Sequence, residues 1–310
     1  MKLLITGGAG FVGSNFAKLA SNKGHDVLIY DDFSLGRAQY IDKLQLETIR
    51  GDIQMISEKI PKNYRPDFVC HLAASGNVVE SIKNPLHNLH INVVGTISVL
   101  EYCRRVGVKR LLFSSTGGAL MGEALPPVNE DSVPKPISPY GASKLACEGY
   151  INAYRNCYNL DYTIFRFGNV LGENCLHKIG VVNKFYNQLK NGSDIAVFGN
   201  VSRDFIYVQD LVNAMLSAID NEYAENEIIH LASGNEIYIS EVAEIVMNEL
   251  HMNDKKIKKL NRRKGEVERN YADISKAKEV LSLRNSLTPE MLIRNTVRYL
   301  RDNDESHNFN

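Results

Sequence analysis

Tyr140 and Lys144 are the residues whose types and spacing most clearly indicate chemistry. They stand four residues apart in SPYGASK (138–144), directly after Pro139, so both side chains share one helical face. A free tyrosine has a pKa of about 10 and a free lysine a pKa of about 10.4. Because a fixed ammonium favours the phenolate, we expect the pKa of Tyr140 to fall and the pair to act as a base near neutral pH.

A glycine-rich turn lies about 130 residues before this pair and strengthens that interpretation. Gly7, Gly10 and Gly13 form the pattern GxxGxxG directly after an apolar strand and at the start of a helix. Glycine permits a tight turn and lets backbone N–H groups approach a pyrophosphate at the helix N-terminus. The sequence therefore predicts a dinucleotide site, whose cationic nicotinamide ring would lower the pKa of Tyr140 further. The alternative is a plain turn and a surface Tyr–Lys pair.

Asp31 indicates which dinucleotide is bound. It ends the second predicted strand, close to the interval expected for a carboxylate on the adenosine ribose. An acid there accepts hydrogen bonds from both ribose hydroxyls and repels a 2′-phosphate, so NAD is favoured over NADP. Arg37 lies nearby and keeps NADP as the alternative, while Asp31 and Asp32 could instead begin a simple turn.

Short apolar runs alternate with helical patterns through the first half of the chain. The predicted strands are 2–6, 25–31, 67–73, 109–115 and 162–170, and the predicted helices are 11–23, about 88–106 and a helix from Pro139. This alternation implies right-handed crossovers and a mostly parallel sheet. The expected fold class is therefore α/β, with a Rossmann-type doubly wound parallel sheet.

The second half of the chain is less regular and predicts a smaller C-terminal α/β lobe. Its predicted elements are strands at 194–199, 204–208 and 228–232, and helices near 209–220, 240–251 and 289–301. We expect residues 1–168 to form the dinucleotide domain and 169–310 the substrate lobe, with the helix near 209–221 returning to the first domain. The basic run Lys255–Lys264 is typical of a solvated face.

Composition excludes several other classes of protein. Lys plus Arg equals Asp plus Glu at 36 each, so no global field indicates nucleic acid. We find no apolar run of the roughly 18 residues that a membrane span requires, and the start of the chain does not resemble a secretory signal. The five cysteines are widely spaced and lack a CxxC pair. We therefore expect no metal, no disulfide, no membrane partner and a cytoplasmic location.

With these motifs in order along the chain, the sequence resembles the extended short-chain dehydrogenases/reductases, and among them the NAD-dependent nucleotide-sugar epimerase/dehydratase family. The resemblance covers nearly the whole length. It is carried by TGGAGFVG (6–13), Asp31, GDI (51–53), HLAA (71–74), NVVGT (92–96), FSSTGG (113–118), YGASK (140–144), RFGNV (166–170), RDFIYVQD (203–210) and RKGE (263–266).

The resemblance implies roles for individual residues. The catalytic set would be Tyr140, Lys144 and Thr116, whose hydroxyl bonds the sugar oxygen, with Ser115 as the fallback. Implied cofactor contacts, besides Tyr140 and Lys144, are Gly7, Gly10, Phe11, Val12, Gly13, Asp31, Asp32, Asp52, Ile53, Leu72, Ala73, Ala74, Asn92 and Ser114. Implied substrate contacts are Thr116, Asn169, Arg203, Arg263 and Asn270, with the two arginines clamping the diphosphate.

The residues after Thr116 indicate the type of reaction. Dehydratases and decarboxylases that resemble this chain usually carry an acid directly after the Ser/Thr, whereas here Gly117, Gly118 and Ala119 follow. We therefore expect epimerisation at C4 of a UDP-hexose or UDP-N-acetylhexosamine through a transient 4-keto sugar. A nucleotide-sugar reductase or dehydratase is the nearest alternative. A non-catalytic NAD-binding regulator or scaffold is the alternative from another class.

Two departures from the family pattern flank the substrate side, and one further residue bears on the sugar. Met121 stands where tyrosine is usual, and Asn183 replaces a common proline. Asn270 matches a position where a bulky residue narrows the pocket near C2 of the sugar, so an N-acetylated sugar could fit. The resemblance also implies a homodimer through helices near 90–105 and 141–157.

Overall fold

The strands of the chain are separated by helices or helical turns as far as residue 167. The computed structural model describes residues 1–304. Its strands are β1 (Lys2–Thr6), β2 (Asp26–Asp31), β3 (Glu47–Arg50), β4 (Phe68–His71), β5 (Arg110–Thr116), β6 (Asp161–Phe167), β7 (Asn169–Leu171), β8 (Ile195–Phe198), β9 (Ser202–Arg203), β10 (Phe205–Tyr207), β11 (Glu227–Leu231), β12 (Ile237–Tyr238) and β13 (Ile257–Leu260).

The helices connect these strands and cover the sheet. They are α1 (Phe11–Asn22), α2 (Ile56–Lys59), α3 (Val78–Lys83), α4 (Pro85–Leu89), α5 (Gly95–Val106), α6 (Gly118–Met121), α7 (Pro139–Tyr158), α8 (Val181–Lys190), α9 (Val208–Ser217), α10 (Ile239–Glu249), α11 (Ser275–Leu281) and α12 (Pro289–Asn303). A π-helical turn at His90–Val94 joins α4 to α5. Short 3₁₀ turns occupy Ala38–Tyr40, Asp42–Leu44, Ile53–Met55 and Glu222–Ala224.

Seven parallel strands form the main sheet in the order β11–β6–β5–β4–β1–β2–β3. The chain leaves β3 and crosses back over β2 and β1 to β4, so the strand order reverses between β1 and β4. Ligands of doubly wound sheets bind outside the carboxyl ends of the strands at such a reversal. The α/β class and the doubly wound parallel sheet predicted from the sequence are confirmed.

Helices cover both faces of this sheet because its strands are apolar on both sides. Leu3 and Ile5 of β1 pack with Phe16 of α1 on one face, whereas Leu4 packs with Leu100 of α5 on the other. Each fully buried Leu, Ile or Phe side chain contributes about 1.5 to 3 kcal/mol. The continuous apolar run of β1 therefore fits a strand buried on both faces.

A second apolar core belongs to the C-terminal lobe. Helices α8, α10 and α12 supply Phe185, Val246 and Ile293 to it, and β8 supplies Ile195 and Val197. The lobe has two-stranded sheets formed by β7 with β10, β8 with β13 and β9 with β12. Three of the four residues of β13, inside the basic run, are exposed, which agrees with the predicted solvated face.

Strand β11 corrects the predicted division of the chain. Glu227–Leu231 pairs with β6 at the edge of the main sheet, although residues 169–310 were assigned to the second lobe. α9 contributes Leu211 and Val212 to the core beside α1, as expected for a helix that returns to the first domain. The first lobe therefore takes up chain from beyond residue 168, and the exact division into lobes stays a prediction.

Other predicted elements need smaller corrections. The single strand expected at 162–170 is two strands that meet at Gly168, where the chain passes from the main sheet to the small sheet of β7 and β10. The helix expected at about 88–106 is α4, the π-helical turn and α5 in succession. β3 was not predicted.

The buried carboxylate of Asp204 joins the two lobes. It is 1% exposed and accepts hydrogen bonds from the Ser233 N–H at 2.7 Å, the Ser233 hydroxyl at 2.6 Å and the Gly234 N–H at 2.9 Å. The Ala272 N–H donates to the same carboxylate at 3.3 Å.

Within residues 1–304, no helix is both long enough and apolar enough to cross a membrane.

Candidate active site

The glycine-rich turn after β1 fits a bound pyrophosphate. Gly7 has φ +71°, and a Cβ there would lie 2.6 Å from the Ala73 nitrogen. A Cβ on Gly13 would lie 2.1 Å from the Gly7 carbonyl oxygen, so only glycine fits either position. Gly10 precedes α1, and no side chain of the described residues caps this helix N-terminus. Its first-turn N–H groups can therefore receive an anion.

Asp31 lies beside this turn at the end of β2. Its carboxylate is 7% exposed and accepts hydrogen bonds from the Ala9 N–H at 2.9 Å and the Phe33 N–H at 2.8 Å. Burial raises the pKa of Asp31, and the two backbone hydrogen bonds oppose the rise. Asp32 is exposed and accepts hydrogen bonds from Ser34. Asp31 is thus the acid that faces the glycine-rich turn.

The other predicted cofactor residues follow the carboxyl ends of neighbouring strands. Asp52 and Ile53 follow β3, where the Asp52 side chain accepts a hydrogen bond from the Gln54 N–H at 2.8 Å. Leu72, Ala73 and Ala74 follow β4 and are half-buried. These segments share one edge of the sheet with Gly7 and Asp31, which is the edge where a dinucleotide binds in such folds.

Asn92, for which the resemblance implies a cofactor contact, is held by hydrogen bonds within the protein. It is 1% exposed on the π-helical turn, and its side-chain oxygen Oδ1 accepts a hydrogen bond from the Ser75 N–H at 2.8 Å. Its amide nitrogen donates to the Ser143 hydroxyl at 2.9 Å and to the Ser75 carbonyl at 3.1 Å. These hydrogen bonds tie the loop after β4 to α7, which supports a positioning role for Asn92.

Helix α7 brings Tyr140 and Lys144 to the end of β5. The helix begins at Pro139, and the Ser138 hydroxyl accepts the Gly141 N–H at 3.2 Å as an N-cap. Lys144 is 3% exposed, and its Nζ donates to the Ser114 carbonyl at 2.8 Å. The i,i+4 spacing therefore brings both side chains to the carboxyl end of β5.

The pKa of Tyr140 departs from the prediction. Burial raises it to about 12, and a side-chain hydrogen bond with Thr116 opposes the rise. Burial likewise lowers the pKa of Lys144. Without bound cofactor, desolvation thus raises the pKa of Tyr140 by more than the nearby ammonium was expected to lower it. Forming the phenolate requires further positive charge beside Tyr140.

A cleft of about 1110 Å3 lies between the two lobes. The predicted site residues that line it are Phe11, Val12, Thr116, Tyr140, Asn169, Arg203, Arg263 and Asn270, and the fallback residue Ser115 also lines it. The remaining predicted cofactor residues are not among the residues that line it. The Ser115 hydroxyl donates to the Glu148 carboxylate at 2.5 Å, so it is already engaged. This favours Thr116 as the hydroxyl that faces the cleft.

The two predicted phosphate-binding arginines are fixed in different ways. Arg203 donates to the Val267 carbonyl at 2.9 Å and lies 3.2 Å from Glu266, and burial lowers its pKa. The Arg263 guanidinium stacks 3.8 Å from the centre of the Phe198 ring. Both line the cleft in the C-terminal lobe, where guanidinium groups can bind phosphate oxygens.

Three further cleft cations, Lys178, Lys184 and Lys264, were missed from the sequence, and two of them have defined partners. Lys184 of α8 lies 4.5 Å from the Phe198 ring centre, and burial together with Arg263 lowers its pKa. Lys178 donates to the Val170 carbonyl, and burial lowers its pKa to about 8. Helix α8 was not predicted, so no face could be assigned to Lys184, and Lys178 lies in a loop without a periodic signal.

The doubly wound sheet and the glycine-rich turn together define a dinucleotide-binding protein. A profile described as the NAD-dependent epimerase/dehydratase family matches residues 3–232. The chain belongs to this family, and NAD is its cofactor.

The relatives cover nearly the whole chain. A putative UDP-glucose 4-epimerase of Methanocaldococcus jannaschii is 36% identical over 313 residues, which span 98% of this chain and 100% of that protein. The crystal structure of the Thermotoga maritima UDP-glucose 4-epimerase with UDP-glucose has a TM-score of 0.91 and 32% identity, covering 97% and 99% of the two chains. The UDP-N-acetylglucosamine 4-epimerase of Methanobrevibacter ruminantium, in complex with UDP-N-acetylmuramic acid, has a TM-score of 0.85 and 31% identity, covering 96% and 97%.

We predict that Gly13→Ala weakens NAD binding. The added Cβ would meet the Gly7 carbonyl at 2.1 Å and deform the turn that receives the pyrophosphate. We expect the Kd for NAD, measured by isothermal titration calorimetry, to rise at least about tenfold, or about 1.4 kcal/mol. Gly149→Ala on α7 is the matched control because a Cβ there meets nothing within 4 Å. An unchanged Kd in Gly13→Ala would remove this turn from the cofactor site.

Proposed function

We propose that the protein epimerises a UDP-hexose or UDP-N-acetylhexosamine at C4 through a transient 4-keto sugar. One observation carries the proposal: Tyr140 and Thr116 both line the wall of a cleft whose opposite lobe presents Arg203 and Arg263. A proton acceptor and a cationic diphosphate site thus face one cavity. The relatives named UDP-glucose 4-epimerases support the same assignment.

The chain's own residues divide the chemistry between them. Tyr140 takes the proton of the C4 hydroxyl, and Thr116 holds that oxygen and relays the proton. Lys144, behind Tyr140, favours the phenolate, and the arginines hold the diphosphate while the keto sugar turns. Bound NAD supplies the hydride acceptor and donor, and its cationic ring offsets the burial that raises the pKa of Tyr140.

The scarcity of carboxylates in the cleft favours epimerisation over dehydration. Among the described residues that line it, Glu266 is the one carboxylate, and it lies 3.2 Å from Arg203. Gly117 and Gly118 follow Thr116, so no acid stands beside Tyr140 to remove a second proton from the sugar. A reductase would consume NADPH with a keto sugar. A scaffold would not need the intact set of Tyr140, Lys144 and Thr116.

We predict that Tyr140→Phe abolishes turnover and leaves cofactor binding intact. Wild-type protein should convert UDP-glucose to UDP-galactose without added NAD, because the cofactor is regenerated in each cycle. The variant should lose about 10²- to 10⁴-fold in kcat, since it lacks the proton acceptor, while its Kd for NAD stays within about twofold. Tyr158→Phe at the other end of α7 is the control. Full activity of Tyr140→Phe would exclude the mechanism, and a stoichiometric demand for NADPH would indicate a reductase.

Asn270 supports an N-acetylated sugar as a substrate. It is 5% exposed in the cleft wall, and its Nδ2 has no hydrogen-bond partner among residues 1–304. Its Oδ1 would lie 3.0 Å from a Cβ on Gly118, so the two residues enclose this end of the cleft. The unpaired Nδ2 can donate a hydrogen bond to the carbonyl oxygen of an acetamido group. One related structure is that of a UDP-N-acetylglucosamine 4-epimerase.

We predict that Asn270→Tyr selects against the N-acetylated sugar. The larger ring should fill the space beside Gly118 and remove the unpaired amide. We expect kcat/KM for UDP-N-acetylglucosamine to fall at least about tenfold relative to UDP-glucose, as steric exclusion in a small pocket permits. Asn270→Ser, which keeps the space open, is the control. Equal losses for both sugars would show that Asn270 does not read the C2 substituent.

We propose a homodimer through the helices near 90–105 and 141–157, and exposed apolar side chains of α7 and of α4, which directly precedes the first of these helices, support it. Leu86 and Leu89 of α4 are 72% and 44% exposed, and Tyr150 of α7 is 45% exposed. Exposed apolar side chains of this size are common at interfaces between subunits. A mass of one chain by sedimentation at micromolar concentration would contradict this proposal.

A cytoplasmic location is also proposed. All five cysteines are free, and four of them are buried in apolar surroundings. Unpaired cysteines fit a reducing compartment. Recovery of the protein outside the cytoplasmic fraction of its cells would contradict this proposal.

A further inference from the structure

Glu148 continues the functional face of α7 beyond Tyr140 and Lys144. The three residues are spaced at i, i+4 and i+8, and Glu148 is 6% exposed. Its carboxylate does not line the cleft, so it cannot touch the sugar. Glu148 has no role in the proton transfer between the sugar and Tyr140. Burial of a carboxylate costs free energy unless it is paired, so its place here calls for a structural explanation.

The contacts of Glu148 bind α7 to two adjacent strands. One oxygen accepts the Ser115 hydroxyl at 2.5 Å and the Arg166 Nε at 3.2 Å, and the other accepts Arg166 NH2 at 2.8 Å. Ser115 of β5 and Arg166 of β6 are partners in the register of the sheet. One carboxylate thus fixes the carboxyl ends of β5 and β6 to the helix that carries the Tyr–Lys pair.

Ser115 lies between the two residues of β5 that the reaction uses. The Ser114 carbonyl accepts a hydrogen bond from the Lys144 ammonium at 2.8 Å, and Thr116 lines the cleft together with Tyr140. A displacement of Ser115 moves both neighbours, because they belong to the same extended strand. Misplacement of a reacting group by about 1 Å can cost about 10²-fold in rate.

We propose that Glu148, paired with Arg166, is a positioning residue that aligns Thr116 and Lys144 with Tyr140 and keeps the Lys144 ammonium charged. Stability alone does not explain the pair. Its side chains are 4% and 6% exposed, and apolar residues of similar volume often replace such a buried pair without loss of stability. The inference rests on the proposed function only for its kinetic readout.

The charges around Lys144 support the electrostatic part of this role. Burial lowers the pKa of Lys144, whereas Cys147 and Glu148 raise it. His71 of β4 faces Lys144 and is neutral, because burial lowers its pKa to about 3. Glu148 is therefore the carboxylate that stabilises the ammonium.

The groups that face Glu148 and Arg166 have fixed charge states near neutral pH. Arg166 is the cation that faces Glu148, and Tyr162 of β6 is also near it, with a pKa raised mainly by burial. His230 of β11 faces Arg166, and burial lowers its pKa to about 3, so it is neutral. Near neutral pH, Tyr162 and His230 therefore add no charge beside the pair.

We predict that Glu148→Gln lowers kcat and narrows the pH range of activity. Glutamine keeps an acceptor for Ser115 but removes the charge, so Lys144 should lose its proton at lower pH. The alkaline limb of the kcat profile should therefore move to lower pH. We expect kcat for UDP-glucose to fall about tenfold or more, and KM to stay within about twofold, since the diphosphate contacts are unchanged.

A matched control separates this role from general stability. Glu249 is 9% exposed and joins α10 to α12 through Arg294 at 3.1 Å and Arg298 at 2.6 Å. Glu249→Gln should lower Tm without moving the pH profile. Should Glu148→Gln not fold, the double variant Glu148→Met/Arg166→Met replaces the pair by apolar residues. It should keep Tm and still lose kcat.

The outcomes are distinguishable from a failure of the proposed function. A kcat within about twofold of wild type and an unmoved alkaline limb, in either variant, would overturn the inference. A wild-type protein that epimerises no UDP-hexose contradicts the proposed function instead. In that case the inference is still tested by the pKa of Tyr140. It is measured from the tyrosinate absorbance of the NAD-loaded protein as a function of pH, with Tyr140→Phe as the blank. Glu148→Gln should raise the pKa of Tyr140, and no shift would overturn the inference.

Discussion

The buried ammonium of Lys144 is the interaction on which the active site depends. A charge removed from water is costly unless it is paired and hydrogen-bonded, and burial does lower the pKa of Lys144. The Ser114 carbonyl at 2.8 Å and the Phe113 ring at 4.7 Å compensate from β5. Both partners are in place only if α7 lies in one register against that strand. The same register sets Tyr140 beside Thr116, so solvating the ammonium and assembling the proton acceptor are one structural requirement.

The parallel sheet explains why the cofactor residues and this pair share one edge. Every strand of the main sheet points the same way, so the residues that follow β1 to β4 and those that end β5 lie at its carboxyl end. The reversal of strand order between β1 and β4 opens the crevice there. Gly168 then passes the chain into the second lobe, which brings Arg203 and Arg263 to the other side of the cleft. In the proposed function, the sheet positions the cofactor and the second lobe positions the diphosphate.

The sequence predicted those strands and helices that can be recognised from their own apolar runs or capping residues. β1, β4 and α7 are continuous apolar runs or helices with caps, and the structure has them where they were expected. β3 was missed because ETIR is polar and lies half-exposed at the edge of the sheet. The place of β11 depends on pairing with β6 after a long excursion, which periodicity cannot reveal. The pKa of Tyr140 also required the structure, because its direction depends on how burial compares with the neighbouring charges.

The location of Glu148 reconciles two demands that conflict in a small active site. A carboxylate near Lys144 stabilises the ammonium, yet a carboxylate beside Thr116 could remove a second proton from a keto sugar and divert it toward elimination. Glu148 lies behind β5, and the Ser115 hydroxyl stands between it and the cleft at 2.5 Å. Its charge is felt by Lys144 through a medium of low dielectric constant, whereas its oxygens remain bound to Ser115 and Arg166. Glu148 therefore stabilises the Lys144 ammonium across the wall of the cleft, but its carboxylate cannot reach the sugar to remove a proton. A reversible epimerisation requires both.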